Sequence, residues 1–250
     1  MAENGPGYVL ATSGGGVYGY DPSTRLVTTY PSLVGLPLNA PIVGLAMGVN
    51  GTGYYLVAQD GGIFAFGAAP FHGSMGGQHL NAPIVGMALG PSGFNPDGSH
   101  DYTYYLVAKD GGIFAFGGAP FVGSMGGQHL NAPIVGMAFG PTLEGGLPIG
   151  YWLVAADGGV FSFGGASFRG SMGGQQLNTP IVGIAFGTDV LAGVDANNDQ
   201  GYWLVGADGG VFSFGDAPYC GSAVGLITSA PVVGIASTFT LPAANPGQGS

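Results

Sequence analysis

The chain has 250 residues, enough for one large domain with a well-buried core. Its 53 Gly and 18 Pro would suit a low-complexity tract, but 46% hydrophobic residues in repeating blocks point to a packed fold with many tight turns. Only 6% of residues are charged and the net charge is −10, which repels nucleic acid and anionic lipid and sets both aside as partners.

Met1-Ala2-Glu3-Asn4 has neither the basic start nor the apolar run of a signal peptide. No stretch approaches the roughly 18 apolar residues of a membrane span, so no membrane insertion is expected. Low charge, few Lys and many Tyr, Gly and Asn still suit a secreted or cell-surface protein whose leader is absent from this sequence. Cys220 is the one cysteine, so no intrachain disulfide forms, and it reads as a small buried or half-buried hydrophobe.

Five copies of one unit follow, beginning at Tyr8, Tyr54, Tyr104, Tyr151 and Tyr202. A second anchor, Pro-(Ile/Val)-Val-Gly, begins at Pro41, Pro83, Pro133, Pro180 and Pro231. A period near 50 residues fits one four-stranded propeller blade. Pro41 to Met47 reads as strand A and Tyr54 to Ala58 as strand B. Ile63 to Phe66 reads as strand C and Phe71 to Ser74 as strand D. Asp60-Gly61-Gly62 joins B to C, because Asp-Gly and Gly-Gly supply the positive φ of two-residue hairpin turns. Strands A to C are apolar on both faces, as stacked blades require. Pro70, Pro120 and Pro218 near the start of D fit an edge strand.

The chain opens on a B strand, Tyr8 to Ala11, and closes on an A strand, Pro231 to Ala236. The expected fold is therefore all-β: a single five-bladed β-propeller over residues 1–240, about four antiparallel strands per blade, closed by the C-terminal strand joining the first blade. Residues 241–250 form a tail.

The A–B loops vary in length, whereas the B–C turns and D–A segments stay constant and share one face. That face carries the candidate ligand set: Asp60, Gln78, His79 and Asn81; Asp110, Gln128, His129 and Asn131; Asp157, Gln175, Gln176 and Asn178. Carboxylate, amide and imidazole groups beside aromatics are the chemistry of a sugar pocket, and repeated weak sites gain from multivalency. Asp before Gly-Gly is also ordinary turn chemistry, and Asn81, Asn131 and Asn178 could equally bond the backbone before strand A. Units one and five depart from the pattern, with Gly14 for Asp, and Leu36 to Asn39 and Leu226 to Ser229 for the polar run.

Trp152 and Trp203 align with Tyr55 and Tyr105, and aromatics there are expected to pack between blades. Asp195, Asn197 and Asp199 space oxygen side chains as the start of a calcium loop does, and Asp97-Gly98-Ser99-His100-Asp101 repeats this; neither has the downstream Glu. Calcium is thus a candidate ion, and no other cofactor is expected. The A strands carry no acid and the B–C acids are copies of one another rather than an acid and base pair, so no enzyme activity is expected.

The unit Tyr151-Trp152-Leu153-Val154-Ala155-Ala156-Asp157-Gly158-Gly159-Val160-Phe161-Ser162-Phe163-Gly164 resembles a Gly-rich repeat of secreted actinobacterial proteins, over most of the chain. The five-blade plan is similar in architecture to tachylectin-type lectins. The expected function is a carbohydrate-binding, lectin-like extracellular propeller whose partners are glycans or cell-wall polysaccharide. The alternative is a non-catalytic structural or protein-interaction module. The sequence leaves the oligomeric state open.

Overall fold

The computed structural model describes residues 8–21, 26–48, 53–94, 100–140, 150–187, 201–225 and 231–235. These form a β-propeller of five antiparallel three-stranded sheets, with no helix among the described residues. The first sheet is β1 (Tyr8–Ala11), β2 (Val17–Asp21) and β3 (Leu26–Thr29). The second is β4 (Ile42–Met47), β5 (Gly53–Ala58) and β6 (Ile63–Gly67). The third is β7 (Ile84–Phe94), β8 (His100–Ala108) and β9 (Ile113–Phe116). The fourth is β10 (Ile134–Phe139), β11 (Gly150–Ala155) and β12 (Val160–Gly164). The fifth is β13 (Ile181–Gly187), β14 (Gly201–Gly206) and β15 (Val211–Gly215).

The middle strand of each sheet divides its side chains between two neighbours. Tyr54 and Leu56 pack toward the first sheet with Val17 and Leu33. Tyr55 and Val57, on the other face of the same strand, pack with Tyr104 and Leu106 of the third. Tyr105 and Val107 meet Tyr151 and Leu153, and Trp152 and Val154 meet Tyr202 and Leu204. Period-two geometry makes this inevitable for a strand that is apolar throughout. The core consequently lies in layers between sheets rather than in one central mass.

Strands β4, β7, β10 and β13 each carry a register shift at the Val of Pro-Ile-Val-Gly, between Ile42 and Gly44 and at the three equivalent places. Such a bulge increases local twist and turns the following residues. The Gly after it lets neighbouring backbones approach. A methyl group on Gly44 would stand 3.6 Å from Met87 N, and one on Gly183 would stand 3.3 Å from Gly234 Cα.

Two details differ from the expected blade. The B–C hairpins have three-residue loops rather than two. Gly61 N donates to Ala58 O at 2.9 Å, and Ala58 N to Gly62 O at 2.8 Å, with Gly61 at φ 81°. This is a type I turn followed by a left-handed Gly in a bulge, the geometry that Asp-Gly-Gly selects when Asp takes the turn and Gly the bulge. The second difference is strand D. It forms a ladder in the first sheet, where β3 pairs β2. Residues 71–74 and their copies form none. Proline supplies no N–H at the start of the segment in three of these units, Ser167 standing there in the other, and Gly73, Gly123, Gly170 and Gly221 have φ between 105° and 135°, which breaks the extended run. The Val27-Thr28-Thr29 stretch of β3 has neither obstacle.

Side chains hold this outer segment instead. Tyr55 Oη donates to Pro70 O at 2.8 Å, and Tyr105 Oη to Pro120 O at 2.9 Å. Trp152 Nε1 does the same to Ser167 O at 2.9 Å, and Trp203 Nε1 to Pro218 O at 2.8 Å. From the next sheet, Tyr104 Oη accepts from His72 N at 2.9 Å and donates to Gly73 O at 2.7 Å. Tyr202 Oη likewise bridges Arg169 N and Gly170 O, and Tyr151 Oη donates to Gly123 O. The aromatic pairs therefore pack between sheets, as expected, and also pin the outer segment by their polar ends.

Residues 231–235 are not assigned as a strand, and among the described residues β1 pairs only β2. Val232 N nevertheless donates to Ala207 O at 2.9 Å. The same bond joins Ile84 to Gln59, Ile134 to Lys109 and Ile181 to Ala156 where each sheet meets the one before. Residues 231–235 thus make the bond to the fifth sheet that β7, β10 and β13 each make to the sheet before them.

Candidate binding site

The B–C turns and D–A segments lie together, as expected from their constant lengths. Met75 N donates to Gly61 O at 2.9 Å, Met125 N to Gly111 O at 3.0 Å and Met172 N to Gly158 O at 2.9 Å. The D–A segment then turns, with Gln78 N donating to Met75 O, and Gln128 and Gln175 doing likewise. The side chains of Gln78, His79, Asn81, Gln128, His129, Asn131, Gln175, Gln176 and Asn178 are all exposed on this face.

The aspartates serve the turns. Asp60 Oδ1 accepts from Gly62 N, Asp110 Oδ1 from Gly112 N, Asp157 Oδ1 from Gly159 N and Asp208 Oδ1 from Gly210 N, each at 3.0 Å. One carboxylate oxygen of each is therefore committed to the backbone, the local bond that makes Asp a turn residue.

A cleft of about 270 Å³ opens where the segment leaving the fourth sheet meets the fifth, and Gln176, Asn178 and Asp208 all line it. The sequence grouped Gln176 and Asn178 with Asp157, the aspartate of their own unit. The partner is instead the aspartate of the following unit, because the D–A segment crosses to the next sheet before its Asn. Asp208 and Thr179 are members that the unit-by-unit grouping missed. Asp208 N donates to Thr179 Oγ1 at 3.2 Å, and Ser222 Oγ donates to Gly209 O at 3.0 Å while accepting from Val211 N at 3.0 Å. Phe212, Leu177 and Val224 supply apolar surface.

A second repeated feature lies on the outer segments. Phe71, Phe121, Phe168 and Tyr219 occupy the same position in four units and are 59, 60, 58 and 63% exposed. Cys220, beside Tyr219, is also exposed, contrary to expectation, with its thiol donating to Pro218 O at 3.5 Å. The signal for the aromatic row was in the sequence, as an aromatic that recurs where no core strand requires one.

Burial raises the tyrosine hydroxyls between sheets. Tyr105 is pushed up to about 12 by desolvation, with the Tyr151 hydroxyl adding to it. Tyr54, Tyr104, Tyr151 and Tyr202 are raised for the same leading reason, partly offset in the last three by their backbone hydrogen bonds. These groups stay neutral and structural.

No group of three or more His, Cys, Asp or Glu side chains that could hold a metal occurs among the described residues. The calcium candidates Asp195, Asn197 and Asp199 lie outside the described residues, as do Asp97, Gly98 and Ser99.

No family model and no curated protein matches the chain. Solved structures do. Two crystal structures of BBS1N in complex with ARL6DN, one soaked with mercury and one with lead, share 13% identity with it, at TM-scores of 0.50 and 0.52. The likeness covers 91% of this chain, which spans 65% of the length of each of theirs, and at this identity it is one of fold.

Proposed function

We propose that the chain is a non-catalytic protein-interaction propeller of a secreted or cell-surface protein. The row of Phe71, Phe121, Phe168 and Tyr219 carries this reading. Aromatics are the residues most enriched as interface anchors. Four of them, each near 60% exposed at one repeat position, form spaced apolar contacts on a surface of otherwise low charge. The similarity to BBS1N, whose crystal structures contain ARL6DN, supports it by analogy of fold. With a net charge of −10, a neutral or basic partner surface is favoured.

In the same proposal the outer segment counts as the fourth strand of each blade, and residues 231–235 complete the first blade beside β1. The repeated bond of Val232 N to Ala207 O supports this closure. Deleting residues 231–240 should lower the melting temperature sharply or drive oligomerisation; a truncated chain that melts like the full one would overturn the closure.

The test of function is a paired capture. The full chain and a variant with Phe71, Phe121, Phe168 and Tyr219 all changed to Ser are presented to extracellular proteins, and captured partners are remade and titrated. A partner that binds the full chain and loses at least tenfold in affinity to the variant, at equal melting temperature, supports the proposal. Equal affinity for both refutes it.

A further inference from the structure

We propose that the cleft between the fourth and fifth sheets is a binding site for one neutral polyhydroxylated ligand of single-ring size, such as a pyranose. The inference is independent of the aromatic row and does not need a protein partner.

The site is marked by where the repeat breaks. At the regular junctions the corresponding positions are His79 and His129, Ala82 and Ala132, Ala108 and Ala155, and Gly126 and Gly173. At this junction they are Gln176, Thr179, Gly206 and Val224, and all four line the cleft. Two of the changes remove bulk, one adds a hydroxyl, and the fourth replaces a glycine by the apolar side chain of Val224. Gly206 is the decisive one: a Cβ there would lie 2.8 Å from Asp208 Oδ1 and 3.1 Å from Thr179 Oγ1. The other copies carry alanine beside an aspartate held in the same turn bond, so what an alanine would newly meet here is the Thr179 hydroxyl, which those copies lack.

The donor set then selects the ligand. Asp208 is the one charged residue lining the cleft, so an anion is repelled. A calcium ion takes about six to eight oxygens, more than the one carboxylate, two amides and two hydroxyls lining the cleft supply, with one carboxylate oxygen and both hydroxyls already bonded to the backbone. Gln176 and Asn178 each present an NH₂ donor and a carbonyl acceptor. An ammonium group has no acceptor for the NH₂ groups, whereas a hydroxyl is both donor and acceptor. The uncommitted oxygen of Asp208 accepts from a ligand hydroxyl, and Phe212, Leu177 and Val224 meet the C–H surface of a ring. The volume of about 270 Å³ lies just below the roughly 300–1,000 Å³ of pockets for larger ligands, which limits the occupant to one ring.

The experiment uses the full chain labelled with ¹⁵N and titrated with glucose, galactose, mannose and N-acetylglucosamine, each to about 20 mM, a range matched to millimolar affinity. At least one sugar should saturate with a stoichiometry of one and shift the amides of Asn178 and Asp208. Gly206→Ala should weaken that binding at least tenfold, and its fold is secure because three other units carry alanine there. Asp208→Asn should weaken it several-fold, since Asn keeps the turn acceptor and loses the charge. Asp157→Asn, at a regular junction, should leave it unchanged. The proposal is overturned if none of the four sugars binds, if Gly206→Ala binds equally well, or if five equivalent sites titrate.

Discussion

The junction between the third and fourth sheets and the junction between the fourth and fifth are built from nearly the same residues, yet they differ at the rim, where the second carries a cleft. At the first, Tyr105 and Val107 meet Tyr151 and Leu153, with Ala155 at the edge of the layer and Ala132 beside it. At the second, Trp152 and Val154 meet Tyr202 and Leu204 in an equally buried layer, but Gly206 and Thr179 stand where the alanines were. The apolar layer is indifferent to the change because strand alternation alone produces it. The rim of the layer is sensitive to a single methyl group. Repetition therefore secures the layer, and departure from repetition sets the lining of the cleft.

The largest effect should come from the shared layer. Trp152 is fully buried between two sheets, whereas its copy Trp203 is only half-buried. Trp152→Ala should cost about 3–5 kcal/mol of unfolding free energy in urea titration. Trp203→Ala should cost clearly less, although both lose the same indole hydrogen bond. Equal losses would mean that Trp203 is covered as fully as Trp152.

Next in size is the turn glycine. Gly158 has φ 80° and a Cβ there would lie 2.5 Å from Met172 Cβ. Gly158→Ala should cost about 1–3 kcal/mol through backbone strain, with the clash adding to it. Gly209→Ala at the last sheet meets Ala223 Cβ at 3.0 Å rather than a methionine, so its loss should be the smaller of the two.

The hydroxyls come third. Tyr105→Phe removes one donor to Pro120 O and should cost about 1 kcal/mol at pH 8. Alkaline titration tests the same group. Its acidity in the fold is weakened to about 12 from the usual 10, so its contribution is intact below pH 10 and is lost as pH rises toward 12. Melting temperatures measured from pH 8 to 12 should fall above pH 10, less steeply in Tyr105→Phe. A flat profile would show the inter-sheet tyrosines to be accessible.

The smallest effect belongs to Asp157→Asn, within about 0.5 kcal/mol of the unaltered protein, because Asn can still accept from Gly159 N. Asp157→Ala should exceed it, since that acceptor is lost.

Much of this molecule was legible in its residues. Four recurrences of Tyr-(Tyr/Trp)-Leu-Val, with Tyr8-Val9-Leu10-Ala11 as a fifth and looser copy, predicted five sheets, because an unbroken apolar strand is stable only when covered on both faces. Asp-Gly-Gly predicted the hairpins, with one residue more in the loop than expected. Strand D was read as an edge strand that tolerates a proline near its start. Pro70 and the positive φ of Gly73 prevent that, and the Tyr and Trp side chains that replace the ladder act across sheets where sequence spacing is silent.

The division for the site is sharper still. The amide residues Gln176 and Asn178 could be named from the sequence, since polar side chains recurring beside turns stand out against an apolar repeat. Their partner could not. Sequence order places them with Asp157, while the crossing of the D–A segment places them with Asp208. Local hydrogen bonds and strand periodicity depend on near neighbours along the chain, so composition and repeat determined the sheets and turns. Which rim faces which, and whether a missing methyl opens a cleft, depends on neighbours about fifty residues apart, and only the packing of one sheet on the next decided it.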